Sequence, residues 1–187
     1  MARAPLRNRL VILDRDGVIN EERLDYIRSV DQWRPLPGSI EAIANLCRAG
    51  LAVAVATNQS GIGRGYLTSG ELDAIHARME AAVREAGGEL AGVFHCPHTP
   101  ADRCRCRKPL PGLLERIEAA VGLPVAGEYM VGDSMRDLEA ASAAGARPAL
   151  VRTGFGAATE QRLPPGGAVP VFDDLAEFTG WLLRSVE

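Results

Sequence analysis

The chain has almost no lysine: Lys108 is the only one, and every other basic residue is arginine. A long apolar run is also missing, because no segment approaches the ~20 residues that a membrane-spanning helix needs. Near the N-terminus only Leu10–Leu13 is continuously apolar, whereas a secretory signal needs roughly 7–15 such residues. We therefore expect a cytoplasmic protein without a membrane segment.

An excess of basic charge is absent as well. The 187 residues carry 21 basic and 24 acidic side chains, which gives a formal charge of −3. A nucleic-acid surface normally shows a basic excess, so we expect no nucleic-acid partner. The length suits one domain over residues 1–187 with an ordinary core. We expect a monomer that acts on a small molecule.

Short apolar runs alternate with amphipathic stretches along the chain. The runs predict buried strands at Leu10–Leu13, Leu51–Ala56, Gly92–Phe94, Tyr129–Val131 and Ala149–Val151. The stretches predict helices over Ser39–Arg48, after the capping box Thr68–Glu71, after Pro111, over Ser134–Ala144, and after Asp173 or Asp174. This order predicts an α/β fold, a Rossmann-like and mostly parallel sheet with helices on both faces. The Gly- and Pro-rich segment Gly154–Gly167 is predicted to be a surface connection.

Polar residues follow the predicted strands where these end. Asp14 and Asp16 follow the first strand, Thr57 follows the second, and Asp133 follows a later one, while Lys108 precedes a helix. Ligands of open α/β sheets bind beyond the carboxyl ends of the strands. The sequence therefore brings carboxylates, a hydroxyl and an ammonium to one edge of the sheet.

These side chains predict a metal site that faces a phosphoryl group. In an extended segment Asp14 and Asp16 point to one side and Arg15 points away. Carboxylates this close repel each other and need a cation, and hard oxygen ligands favour Mg²⁺. A single lysine among arginines indicates a position that requires a compact ammonium. Taken separately, Asp14–Gly17 is a turn and Gly132–Ser134 a helix cap; together they favour catalysis.

A second cluster predicts a zinc-binding loop over residues 95–109. Cys96, His98, Cys104 and Cys106 lie within eleven residues, and three thiolates with one imidazole match a closed tetrahedral Zn²⁺ site. His95 is an alternative ligand. A disulfide framework is not expected in an intracellular chain.

The polar motifs resemble the haloacid dehalogenase-like phosphohydrolase superfamily, in which Asp-x-Asp-Gly, Ser/Thr, Lys and a final acidic motif follow in this order. The resemblance implies that Asp14 is the nucleophile and forms an aspartyl-phosphate. Asp16 then protonates the leaving alkoxide and later activates water. Thr57 and Lys108 bind the phosphoryl oxygens.

The resemblance also implies where Mg²⁺ binds. Its ligands are Asp14, the backbone carbonyl of Asp16, and Asp133. Asp137 acts from outside this ligand set and positions Lys108 or a metal-bound water. The chain leaves no room for a separate cap domain, so a capless fold is expected, whose short loops determine specificity.

Within the superfamily, the segment Cys96–Pro109 resembles two phosphatase families, which act on a heptose 1,7-bisphosphate and on histidinol phosphate. Three other segments favour the heptose family, and they imply removal of the 7-phosphate in activated-heptose biosynthesis. A non-enzyme alternative is a receiver-like phosphoprotein switch. Where this family places a Lys after Asp133, the chain has Ser134. The implied substrate-binding residues are Glu22, Arg23, Asp25, Tyr26, Asn58, Gln59, Ser60, Arg107 and Ser134.

Overall fold

A computed structural model describes residues 9–164 and 166–185. Within these ranges six strands form one sheet: β1 Leu10–Leu13, β2 Ala52–Asn58, β3 Gly92–Cys96, β4 Tyr129–Gly132, β5 Arg147–Val151 and β6 Val171–Phe172. The helices are α1 Ser39–Arg48, α2 Ser69–Glu85, α3 Gly112–Val121, α4 Met135–Ala143, α5 Gly156–Glu160 and α6 Leu175–Arg184. Short 3-10 turns lie at Val30–Gln32 and Pro100–Asp102.

The sheet is parallel throughout, in the order β3-β2-β1-β4-β5-β6. The chain runs from β1 through β2 to β3 on one side of β1 and then continues from β4 through β5 to β6 on the other side, so β1 beside β4 forms a topological switch point. Ligands bind in the crevice at such a point in open α/β sheets. The predicted Rossmann-like class is confirmed.

Alternate side chains of the strands point to opposite faces of the sheet and form two apolar layers. In β1, Val11 and Leu13 pack with α1, α2 and α6, whereas Leu10 and Ile12 pack with α3 and α4. All four residues of β1 are buried, as a central parallel strand covered on both faces requires. The helices therefore pack against β1 on both faces of the sheet and fix the position of the loop that follows it.

The helix ends agree with the sequence signals. Thr68 caps α2 with the predicted capping box to Glu71, and Asp174, rather than Asp173, caps α6. Two elements differ from expectation: the predicted surface connection Gly154–Gly167 contains the short helix α5, and strand β6 was not predicted. No helix in the described ranges has the length and apolar character needed to cross a membrane.

Candidate active site

The loops after β1 and β4 bring Asp14 and Asp133 together at the switch point. Oxygens of Asp14, Asp133 and Asp137 all lie within 4.8 Å of one another; Asp133 and Asp137 are buried, and the Asp14 side chain is 13% exposed. Two glycines leave the room for this approach. A Cβ on Gly17, whose φ is +79°, would lie 2.1 Å from Asp133 Oδ2, and a Cβ on Gly132 would lie 2.1 Å from Asp137 Cβ.

The electrostatics of this cluster favour a cation. Burial and the charge of Asp137 raise the pKa of Asp14 well above its usual range. The same two causes raise the pKa of Asp133 to about 7. Carboxyl groups whose ionisation is opposed by their neighbours bind a divalent cation readily, because it supplies the missing positive charge. The donor set therefore fits Mg²⁺.

Lys108 reaches the carboxylate cluster from the loop that precedes α3. Its side chain is 1% exposed, and Nζ lies 2.9 Å from Asp14 Oδ2 and 2.6 Å from Asp137 Oδ1. Nζ also donates to the carbonyl oxygen of Ala56 at 2.7 Å. Burial disfavours the charged ammonium, but Asp137 and Asp14 outweigh it and raise the pKa of Lys108. The single lysine thus has three donors aimed at three acceptors, which suits a compact ammonium.

Asp137 serves two elements at once. Its Oδ2 accepts from the backbone nitrogen of Ser134 at 3.1 Å and from Ser134 Oγ at 2.5 Å, and this caps α4. Its Oδ1 holds Lys108. Burial opposes its charge, yet Lys108 and Ser134 lower the pKa of Asp137. Helix α4 and the lysine are therefore fixed by one buried carboxylate.

Asp16 lies beside the cluster and is held by three side chains. Arg15, Asn20 and Gln59 all donate to its carboxylate, at 2.8 to 3.0 Å. Burial opposes ionisation, but the charge of Arg15 and these hydrogen bonds lower the pKa of Asp16.

The sequence placed Arg15 on the side away from the ligand, and Arg15 is not among the residues that line the cavity, but its guanidinium contacts the Asp16 carboxylate. β1 ends at Leu13, and the backbone then turns, with the carbonyl of Arg15 accepting from the nitrogen of Ile19 at 2.8 Å. The alternation of an extended strand therefore does not apply, and the guanidinium curls back to Asp16. It is buried completely.

The last residues of β2 and the residue after it hold the site together from the other side. Thr57 is 1% exposed, and its Oγ1 lies 2.9 Å from Gln59 Nε2, which also bonds Asp16. Asn58 brackets the backbone of Lys108, with Nδ2 donating to its carbonyl and Oδ1 accepting from its nitrogen. Asn58 and Gln59, predicted as substrate contacts, thus also position neighbouring side chains.

A cavity of about 330 Å³ opens above these groups. Of the residues predicted to touch substrate, Asp25 is not in its wall; it forms an exposed ion pair with Arg23 at 3.0 Å. The other predicted contacts line the cavity: Glu22, Arg23, Tyr26, Asn58, Gln59, Ser60, Arg107 and Ser134.

Sequence reasoning missed several residues of the cavity wall. Arg64 and Arg136 line it together with Arg107, and burial and the charge of Arg136 lower the pKa of Arg107. Phe155 also lines it, and its backbone nitrogen donates to Asp133 Oδ2 at 2.8 Å. Nothing in the local sequence marks these positions, because only the fold brings them to the cavity.

The four predicted zinc ligands converge beside the cavity. The sulfur atoms of Cys96, Cys104 and Cys106 lie 3.3 to 3.6 Å apart, and His98 Nδ1 lies 3.3 Å from Cys106 and 3.6 Å from Cys96. Zn–S bonds of about 2.3 Å place tetrahedral thiolates near this spacing. A disulfide needs sulfurs ~2.05 Å apart, so the geometry fits a metal.

The loop joins the cavity through its neighbours. Arg107 Nη1 donates to the carbonyl of His98 at 3.1 Å, so the cluster fixes the segment that ends in Lys108. His95, the alternative ligand, instead packs its ring 5.7 Å from that of His76.

Comparisons with known proteins agree with this site. Residues 105–178 match the HAD-hydrolase-like family model. The chain is 49% identical over 180 residues to the D-glycero-beta-D-manno-heptose-1,7-bisphosphate 7-phosphatase of Neisseria meningitidis serogroup A, which covers 94% of this chain and 95% of the relative. The Pseudomonas aeruginosa protein of the same name is 52% identical over 175 residues, covering 94% and 98%.

A solved structure is similar over nearly the whole chain. The D,D-heptose 1,7-bisphosphate phosphatase from B. bronchiseptica, complexed with magnesium and phosphate, has a TM-score of 0.90 and 46% identity. The match covers 95% of this chain and 99% of that one. The parallel sheet and the carboxylate–lysine site define the class of haloacid dehalogenase-like hydrolases. The chain belongs to its family of D-glycero-beta-D-manno-heptose-1,7-bisphosphate 7-phosphatases.

Proposed function

We propose that this protein removes the 7-phosphate of D-glycero-β-D-manno-heptose 1,7-bisphosphate by way of an aspartyl-phosphate. The single observation that carries the chemistry is the contact of Lys108 with Asp14 at 2.9 Å beside a cluster of carboxylates. The substrate is supported by the names of relatives at 49% and 52% identity over 94% of the chain.

The first half of the reaction forms a covalent intermediate. An oxygen of Asp14 attacks phosphorus, the bond from phosphorus to the sugar oxygen breaks, and Asp16 gives its proton to that oxygen. Thr57 and Lys108 donate to the phosphoryl oxygens, where negative charge is spread in the transition state.

The second half regenerates the protein. Asp16, now a carboxylate, takes a proton from a water molecule that attacks the same phosphorus, and the bond to Asp14 breaks. Inorganic phosphate leaves, and Asp16 carries the proton needed for the next substrate. Proton balance is thus kept by one carboxyl group.

Mg²⁺ would be held by Asp14, the carbonyl of Asp16, and Asp133, and it would neutralise phosphoryl charge. Zn²⁺ would be held by Cys96, His98, Cys104 and Cys106, and with four protein ligands its role is structural. A B. bronchiseptica relative complexed with magnesium and phosphate supports the first assignment. Residues 1–187 act as one domain in this proposal.

The distal phosphate of a bisphosphate meets arginine side chains. Arg64, Arg107 and Arg136 line the cavity, and guanidinium groups bind phosphate through paired donors. Glu22, Arg23, Tyr26 and Ser60 face the sugar in this arrangement, while Ser134 is occupied with Asp137.

The test is a comparison of kcat/KM on heptose 1,7-bisphosphate and on histidinol phosphate, with phosphorus NMR to identify the phosphate removed. We expect the heptose substrate to be preferred and only the 7-phosphate to be lost. A preference for histidinol phosphate would overturn the substrate assignment but not the proposed reaction mechanism.

The receiver-like alternative does not fit the topology. Flavodoxin-like receiver domains have the strand order 2-1-3-4-5, whereas this sheet has β3-β2-β1-β4-β5-β6. β3 ends at Cys96 without an aspartate to accept a phosphoryl group, and the next acidic residue is Asp102.

A further inference from the structure

Arg15 places a fully buried charge directly behind Asp16. Its Nε and Nη2 lie 3.0 and 2.8 Å from Asp16 Oδ1, and Nη2 lies 2.9 Å from Oδ2. The remaining nitrogen, Nη1, lies 3.2 Å from His76 Nε2. Because a guanidinium has only donors, His76 accepts through Nε2 and carries its own proton on Nδ1.

His76 is built to remain a neutral acceptor. It projects from α2 and is 6% exposed. Burial and the adjacent charge of Arg15 lower its pKa to about 3. The His95 ring covers it at 5.7 Å. All three guanidinium nitrogens are therefore held, Nε and Nη2 by Asp16 and Nη1 by His76.

The donors divide the two oxygens of Asp16 unequally. Oδ1 receives Arg15 Nε, Arg15 Nη2 and Asn20 Nδ2, which exceeds the roughly two positions that a carboxylate oxygen offers. Oδ2 receives Gln59 Nε2 and shares Arg15 Nη2 with Oδ1. Oδ2 therefore carries fewer donors than Oδ1, and one of them is shared, so Oδ2 is the more available of the two oxygens for a proton.

Stability does not account for this pair. Buried ion pairs gain little over apolar residues of similar volume, because the desolvation cost offsets the attraction. A fixed orientation is what the arrangement provides, since Asp16 would otherwise turn about its terminal torsion.

We propose that Arg15 and His76 form a clamp that positions Asp16 so that Oδ2 exchanges the proton in both halves of the reaction. Both are positioning residues, and the inference rests on the proposed function. Misplacing a catalytic group by 1 Å can cost about 10²-fold in rate, so loss of the clamp should slow both proton transfers.

The test uses p-nitrophenyl phosphate, whose leaving group departs without a proton. In His76→Leu the apolar side chain cannot accept from Arg15, so the aspartyl-phosphate still forms but its hydrolysis lacks a positioned base. We expect the first enzyme equivalent of nitrophenolate at nearly the wild-type rate, followed by a steady state about 10–100-fold slower. KM should not rise.

Matched variants separate positioning from folding. His76→Gln offers an amide oxygen at similar reach and should restore turnover to within about threefold. Met79→Leu changes a buried residue of the same helix and should behave as wild type. Arg15→Lys keeps the charge without the fork and should show the same burst as His76→Leu.

The outcomes are distinct. If His76→Leu and Arg15→Lys show the wild-type ratio of burst to steady state, the clamp proposal is overturned. It is also overturned if burst, steady state and thermal stability fall together and His76→Gln restores none of them. A wild-type protein without phosphatase activity would instead overturn the proposed function.

Discussion

Replacing the single lysine should damage both stability and catalysis. Lys108→Met removes the ion pairs with Asp14 and Asp137, at 2.9 and 2.6 Å. The Lys108 side chain in these pairs is only 1% exposed. Removing one partner of a buried ion pair costs about 3–5 kcal/mol. Removing one donor to a transition-state oxyanion costs about 10²–10³-fold in kcat.

The stability loss should depend on pH in a defined direction. In the wild type the pKa of Asp137 is lowered, so its stabilisation is present above its unfolded pKa and lost as pH falls through the folded one. Without Lys108 the buried carboxylates take up protons instead. The difference between Lys108→Met and wild type should therefore be largest near neutral pH and shrink toward pH 4.

Urea unfolding in EDTA at several pH values measures this difference, and phosphate release measures turnover. Lys108→Arg keeps the charge but exchanges a compact ammonium for a planar fork, so it should remain at least about 10²-fold impaired. Arg78→Met is the control, since its ion pair with Glu85 is exposed at 3.9 Å and worth about 0–1 kcal/mol. A fully active Lys108→Arg, or wild-type stability in Lys108→Met, would refute the reasoning.

Three further predictions follow from the same site. Asp14→Asn should abolish phosphate release while circular dichroism stays unchanged; measurable turnover would remove Asp14 as the nucleophile. Burial and the charges of Asp16 and Asp14 raise the pKa of Glu22 from 4.5 to about 7. In EDTA, the free energy of unfolding of Glu22→Gln should therefore rise relative to that of wild type by about 1–3 kcal/mol between pH 4.5 and 7. A difference in urea unfolding that does not change with pH would contradict this. Cys104→Ala should lose zinc by elemental analysis and lower kcat, because Lys108 is no longer fixed; retained zinc would contradict the four-ligand site.

Much of the fold could be predicted, because parallel strands and capped helices leave local signals. The four buried residues of Leu10–Leu13 and the capping box at Thr68 are of this kind. The two-residue strand Val171–Phe172 is too short for a periodic pattern. Helix α5 lies in a Gly- and Pro-rich segment, where composition indicates a loop.

The residues of the site likewise include some that local sequence predicts and some that it does not. Asp14 and Asp133 directly follow strands and Thr57 is the penultimate residue of one, so position along the chain predicts where they meet. Arg64 and Arg136 lie in a turn and on a helix, and only the closing of the fold brings them to one cavity.

The orientation of Arg15 depends on a turn. Alternation along a strand stops where β1 ends at Leu13, and the hydrogen bonds of the next residues decide the direction. His76 gave no signal in the sequence, since a histidine on a buried helix face is usually part of the core.

Trapping the covalent intermediate tests the account most directly. The protein is mixed with heptose bisphosphate in H₂¹⁸O, quenched within milliseconds and digested for mass spectrometry. We expect one phosphoryl group on the peptide that contains Asp14, and released phosphate with one ¹⁸O. Nucleophilic attack by this aspartate would be contradicted if phosphate were released and no phosphorylated peptide were ever found, or if the phosphoryl group were on another residue.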